Sequence, residues 1–301
     1  MDNCANCGKE GTNLNMCNKC KMVKYCNAAC KKKHRSRHKK RCERRVAEIY
    51  DEKLFKQPPP KEECPICYLP LPTMETGNCY FFCCGKSYCS GCVYAVYGSA
   101  KDVTTVKCPT CRGTVPKSGE EVIQRYKKRE EVGDADAIYN LGCHYNHGRH
   151  GLPQNQTKAC ELWLKAGELG HDGAYCSLAS AYWDGGRGVE KDTKKGLHYW
   201  ELAAMGGNAE ARFNIGYLEM RNIMTGNIND PNADRALRHF MIAVREGEEN
   251  SLHCIRTLYS IGYATKDDYE KALRERQSYL DNIKSVQRDK AAAFTDDYKY
   301  L

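Results

Sequence analysis

The sequence predicts small zinc-stabilised domains followed by an all-α helical-repeat solenoid. Three observations carry that reading. The chain of 301 residues holds 20 cysteines, with seven in residues 1–42, nine in 64–111 and four beyond. Both dense blocks are built on tight C-x2-C pairs, the first with a histidine in step. From about Asp134 onward, similar residues recur every 37 positions. Dispersed cysteines would indicate a disulfide framework, whereas close pairs indicate metal. Zinc is tetrahedral and takes thiolate and imidazole, so each eight-ligand block can close two sites, about four Zn2+ ions in all.

Bulk properties narrow the setting. No apolar run reaches the ~18 residues of a membrane-spanning helix, and the opening MDNCANCGKE lacks the apolar core of a signal peptide. Reduced thiols place the chain in the cytoplasm or nucleus, with no membrane partner. The net charge of +9 is unevenly shared. Residues 1–45 hold fourteen basic and three acidic residues, while the remainder holds 33 basic and 35 acidic. Seven thiolates and two zinc ions lower the first block to about +8.

Residues 1–45 form the first unit. Its ligand pattern is Cys4, Cys7, Cys17, Cys20, Cys26, Cys30, His38 and Cys42. Leu14, Met16, Met22, Val23 and Tyr25 are too few for a core, so metal must supply much of the folding free energy. The spacing resembles the MYND-type zinc finger over residues 4–42, with all eight positions matched. The resemblance implies crossed ligand sets: Cys4, Cys7, Cys26 and Cys30 in one site, Cys17, Cys20, His38 and Cys42 in the other. It also implies a protein-binding module. Where the family carries glutamine and tryptophan, this chain has Lys31 and Arg35, so an aromatic wall of the family's peptide groove is absent. A basic run, KKKHRSRHKKRCERR, occupies residues 31–45 instead. Most such runs are solvated helix faces; an import signal or an acidic partner is the functional alternative. Tyr25 alone lies nearby as a stacking aromatic, which argues against nucleic acid. His34 is read as a surface histidine.

Residues 46–62 are read as a linker. VAEIYDEKLFK extends a helix, and the prolines of QPPPKEE end it. The second zinc unit, 63–114, contains Cys64-Pro-Ile-Cys67, Cys84-x4-Cys89-x2-Cys92 and Cys108-Pro-Thr-Cys111-Arg112. This resembles a RING-type finger, the adaptor domain of many ubiquitin ligases. The resemblance implies that Ile66 and Pro109 touch a ubiquitin-conjugating enzyme, and that Arg112 contacts both ubiquitin and its carrier. The family's histidine is replaced by Lys86, and an ammonium cannot ligate. The implied sites are Cys64, Cys67, Cys89 and Cys92, then Cys84, Cys108 and Cys111 with Cys83 or Cys79. Residues 115–133 are read as a charged, partly helical linker.

Residues 134–285 carry the repeats, and 286–301 are read as a C-terminal tail. Ala137, Ala174 and Ala211 are 37 residues apart, as are Leu141, Leu178 and Ile215. Trp163 and Trp200 keep the step, as do Ala166 and Ala203, and Gly170 and Gly207. Phe240, Ala243 and Gly247 continue it after a three-residue insertion, and a degraded fourth copy follows. A period of this length indicates helix pairs that bury their apolar faces only by stacking. The pattern resembles the Sel-one-like repeat, a relative of the tetratricopeptide repeat, and implies a scaffold for protein partners. Cys143, Cys160, Cys176 and Cys254 lack metal spacing and are read as small buried residues.

No G-x4-G-K-[ST], G-x-S-x-G or H-E-x2-H motif is present, so no catalytic residue is assigned. Two functions fit. In one, the chain is a RING-type ubiquitin ligase or ligase subunit, with the repeats and first finger holding a protein substrate and the RING positioning a carrier thioester. In the other, it is a non-enzymatic zinc-binding adaptor that joins proteins.

Overall fold

The computed structural model describes residues 2–73, 77–98, 100, 106–186, 188–224 and 232–300. It divides into two compact units, Met1–Gln57 and Pro58–Leu301.

The first unit has little regular structure before its helix. Strands β1 (Asn15–Met16) and β2 (Lys24–Tyr25) pair antiparallel. Helix α1 (Ala28–Leu54) follows, capped by the Asn27 side chain, which accepts from the Cys30 backbone N–H at 2.9 Å. The helix ends one residue before the C-cap Phe55, ahead of the prolines. The core cluster is Cys4, Cys17, Cys20, Tyr25 and Cys42, with His38 and Leu54 also buried, so cysteine largely takes the place of a hydrocarbon core.

The second unit begins with the second zinc block. Its hairpin pairs β3 (Asn78–Phe81) with β4 (Lys86–Cys89), and helix α2 (Ser90–Tyr97) starts directly after Cys89. The solenoid follows as α3 (Gly119–Glu131), α4 (Ala135–His147), α5 (Gln156–Glu168), α6 (Asp172–Asp184), α7 (Thr193–Gly206), α8 (Ala209–Met224), α9 (Asn232–Arg245), α10 (Asn250–Ser260) and α11 (Lys266–Ile283). Helices pack as α4 on α5, α6 on α7 and α8 on α9, and each pair stacks on the next.

The 37-residue step is the register of this core. Ala137, Ala166, Ala174, Ala203, Ala211 and Ala243 are all fully buried, which lets neighbouring helices approach closely. Trp163, Trp200 and Phe240 fill the space between the two helices of each pair, against Gly142, Trp183 and Phe213. Caps repeat with the same period. Asp134, His171 and Asn208 each accept from the backbone N–H three residues on, at 3.0, 3.0 and 2.8 Å. Each such cap satisfies an otherwise orphaned donor at the helix start. Gly170, Gly207 and Gly247 turn the chain after α5, α7 and α9 at φ of 101°, 110° and 100°. No helix among the described residues is long and apolar enough to cross a membrane.

Three segments differ from the sequence reading. Residues 115–133 are more than a linker, because Ile123 and Tyr126 of α3 are buried in the same core as α4 and α5. The end of the 46–62 linker is docked: Lys61 pairs with Glu246 at 3.3 Å and donates to its backbone carbonyl at 2.9 Å. Residues 286–301 are not a loose tail. Helix α12 (Val286–Phe294) and a 3-10 turn (Asp296–Tyr298) pack back onto α2. The second zinc block and the repeats, read as separate domains, therefore form one compact unit.

Candidate metal centres and the solenoid groove

Four groups of ligand atoms gather in the two units. They are Cys4, Cys7, Cys26 and Cys30; Cys17, Cys20, His38 and Cys42; Cys64, Cys67, Cys89 and Cys92; and Cys83, Cys84, Cys108 and Cys111. Within each group the ligand atoms lie within 4.8 Å of one another. Zinc–sulfur bonds of about 2.3 Å in a tetrahedron space the sulfurs about 3.8 Å apart. The sulfurs of Cys7 and Cys26, Cys67 and Cys89, and Cys84 and Cys108 are each 3.7 Å apart, and those of Cys17 and Cys42 are 3.9 Å apart. The Cys20 sulfur lies 3.3 Å from His38 Nε2. The donor sets and their spacing fit zinc.

Local backbone explains the gathering. After each of four C-x2-C pairs the chain enters the left-handed region, at Gly8, Lys21, Tyr68 and Arg112, with φ between 57° and 73°. The N–H of that residue donates to the carbonyl of the first cysteine at 2.8–3.0 Å, closing a tight knuckle that turns both sulfurs to one side. Inward backbone N–H groups also favour thiolates. Those of Cys26 and then Cys7 bring the Cys4 thiol down to about 6. A hydrogen bond from Cys89, joined by backbone donors, brings Cys64 down to about 4. Cys89 and Cys30 reach their groups from the starts of α2 and α1.

The two alternatives for the last ligand separate clearly. Cys83, in the turn after β3, joins Cys84, Cys108 and Cys111. Cys79 lies within β3 and packs on the core of Cys64, Leu71 and Tyr88, where burial pushes its thiol up to about 11. His34 is not a bare surface residue. It is half-buried, stacks on His38 at 5.6 Å, and lies 3.1 Å from the Tyr25 hydroxyl. It thus orients a ligand histidine, a role spacing alone does not reveal.

Of the three residues for which the RING resemblance implies a carrier contact, Ile66 and Arg112 are exposed and Pro109 is half-buried. Arg112 occupies the knuckle position that Lys21 and Tyr68 occupy elsewhere, so its place follows from local zinc-site geometry.

The second block is built into the solenoid at both ends. At the start, Tyr80 donates to Asp134 at 2.8 Å, and Phe82 lies 5.1 Å from Tyr126. At the far end, Thr73 Oγ1 bonds the Glu246 carbonyl and the Tyr279 hydroxyl at 2.9 and 2.8 Å. Helix α12 then buries Arg288 beside the third ligand group. Its guanidinium donates to the carbonyls of Ile283 and Pro70 at 2.7 and 2.9 Å, and its positive charge favours the Cys89 thiolate. Gly91 permits this approach, since a Cβ there would lie 2.7 Å from the Arg288 backbone nitrogen. Such donors around thiolate ligands tune a metal site and fix its geometry.

The bridge roofs a groove of about 1220 Å3 along the first helices of the repeats. Repeat-equivalent side chains line it: Asn140 and Ser177, Cys143 and Ser180, Asp136 and Glu210. Cys160, Cys176 and Cys254 are buried as expected, but Cys143 is half-buried and faces this groove. Asp136 lies 3.3 Å from His171, and burial pushes the Asp136 carboxyl up. The lining is polar and mixed in charge, suited to hydrogen bonds with an extended chain rather than to an apolar ligand.

Comparisons with known proteins define the class. Residues 4–42 match the MYND finger family, and residues 135–171 and 173–208 match the Sel1 repeat family. This is a protein with a zinc-binding MYND finger and a Sel1-repeat solenoid; residues 64–111 lie outside both matches. Chitin synthase regulatory factor 4 of Schizosaccharomyces pombe is 28% identical over 35% of this chain and 16% of its own length. Chitin synthase regulator SKT5 of Malassezia restricta is 28% identical over 45% of this chain and 9% of its own. The chain thus spans a small part of these relatives. A Sel1 repeat protein from Oxalobacter formigenes is 23% identical, covering 60% of this chain and 71% of that one, with a TM-score of 0.46.

Proposed function

We propose that this chain is a non-enzymatic, zinc-held adaptor whose solenoid groove receives a protein partner. One observation carries the reading: the second zinc block spans the solenoid from α3–α4 to α11–α12 and roofs a polar groove lined at repeat-equivalent positions. The eight ligand-group thiols of that block then act as scaffold, holding a binding surface in shape. Two relatives named as chitin synthase regulators support a regulatory, protein-binding role over ubiquitin conjugation. The ligase reading rests on Ile66, Pro109 and Arg112, and Arg112 has a structural reason for its place.

Partner capture with the full chain tests the groove. Replacing Asn140 and Ser177 together by arginine places two bulky cations on its floor. The expected result is loss of at least tenfold in captured partner, with helicity and zinc content unchanged. An unaltered set of captured proteins would remove the groove from the account.

A further inference from the structure

The basic run at 31–45 is left unexplained by the adaptor reading. In the structure it lies entirely within α1. Lys31, Lys32, Lys33, Arg35, Arg37, Lys39, Lys40, Arg41 and Arg44 are all exposed. The helix has no carboxylate before Glu43, and the ion pairs of α1 begin at Arg44 and Arg45 with Glu48 and Glu52. Among the described residues, none of the cations from Lys31 to Arg41 has an ion-pair partner. A helix left so strongly self-repelling costs stability unless zinc holds it, and His38 and Cys42 are ligand-group members on this same helix.

The angular distribution identifies the partner. At about 100° per residue, Lys32, Arg35 and Lys39 fall on one flank and Lys33, Arg37 and Lys40 on the other. Arg41 extends the second flank, and His34, His38 and Cys42 occupy the remaining side, facing the zinc ligands, with Lys31 at its N-terminal end. A flat acidic protein surface meets one side of a helix and would leave the other flank unused. A B-form major groove, about 12 Å wide, admits an α-helix and presents phosphates along both walls. The A-form major groove is too deep and narrow for such entry. The lack of stacking aromatics excludes single-strand recognition but does not weaken phosphate contacts, which need only cations.

We infer that α1 is a docking element for duplex DNA, bound through its phosphates on both flanks of the helix without base selection. With six or more phosphates neutralised, affinity falls about 10^3-fold or more between 50 and 200 mM salt. The test is fluorescence anisotropy of the full chain with a mixed-sequence 20-base-pair duplex across that salt range. Two triple variants accompany it: Lys32→Gln with Arg35→Gln and Lys39→Gln, and Lys33→Gln with Arg37→Gln and Lys40→Gln. Each is expected to weaken binding at least tenfold and to flatten the log–log salt slope by roughly 2.7, for three lost contacts. Both keep the first-finger zinc, because they change only exposed side chains. Absence of binding at 50 mM salt would overturn the proposal. So would a loss confined to one flank, or polyglutamate competing as well as duplex at equal charge, either of which would mark an acidic protein partner.

Discussion

The intact protein is expected to carry four zinc ions, and stripping them is expected to melt the first unit while leaving the solenoid helical. Residues 2–57 bury mainly cysteine, with Tyr25, His38 and Leu54. A structural zinc supplies about 10–16 kcal/mol of folding free energy, comparable to the whole stability of an ordinary domain. Without it nothing on that list keeps the first unit folded. The repeats have their own core of alanine, leucine and tryptophan around α3–α6, and of Phe240, Ile255 and Leu258 further on. Chelation followed by circular dichroism should therefore show partial loss of helix, centred on the 27 residues of α1. The ligand assignment is tested in the same preparation. Cys83→Ser should lower zinc content by about one ion, and Cys79→Ser should leave it unchanged. The opposite pattern would move the last ligand to β3.

Arg288→Met is expected to loosen the second zinc block from the solenoid. The arginine is fully buried and donates to the Pro70 and Ile283 carbonyls. Losing those bonds leaves two buried acceptors unpaired, at about 1–3 kcal/mol each. It also removes a buried positive charge that favours the Cys89 thiolate. Cys64 beside it and burial both push that thiol up, and Arg288 opposes them. Loss of an outer partner of a metal ligand costs 10–100-fold in metal affinity. Chelator competition should show faster zinc loss from the second block and unchanged loss from the first. A thermal midpoint and a zinc-release profile equal to wild type would show that α12 merely rests on α2.

Much of this organisation was legible in residue spacing. The repeat step picked out six fully buried alanines, Ala137, Ala166, Ala174, Ala203, Ala211 and Ala243, because small residues are required where two helices approach. The crossed pairing of the first finger followed from its resemblance, and the structure brings those same residues together. What spacing left hidden has physical causes. Cys79 and Cys83 are both close enough in sequence to Cys84; only β3, which turns Cys79 into the core, separates them. Helix α12 is nine residues long and carries its key buried group as a charge, so apolar periodicity gives no sign of it. Helix α3 shows only two buried positions, Ile123 and Tyr126, within a strongly charged segment. His171 caps its helix in step with Asp134 and Asn208, but through a ring nitrogen where oxygen acceptors are usual, so residue type does not mark it. The joining of the second zinc block to both ends of the solenoid depends on long-range contacts such as Thr73 with Tyr279, which no local pattern encodes.

The measurement that tests the adaptor account most directly is discharge of ubiquitin from a broad panel of charged conjugating enzymes, with wild type beside Arg112→Ala. The account predicts no stimulation by either protein. Stimulation by wild type that disappears in Arg112→Ala would contradict it, and would make the second zinc block a working recruiter of ubiquitin carriers.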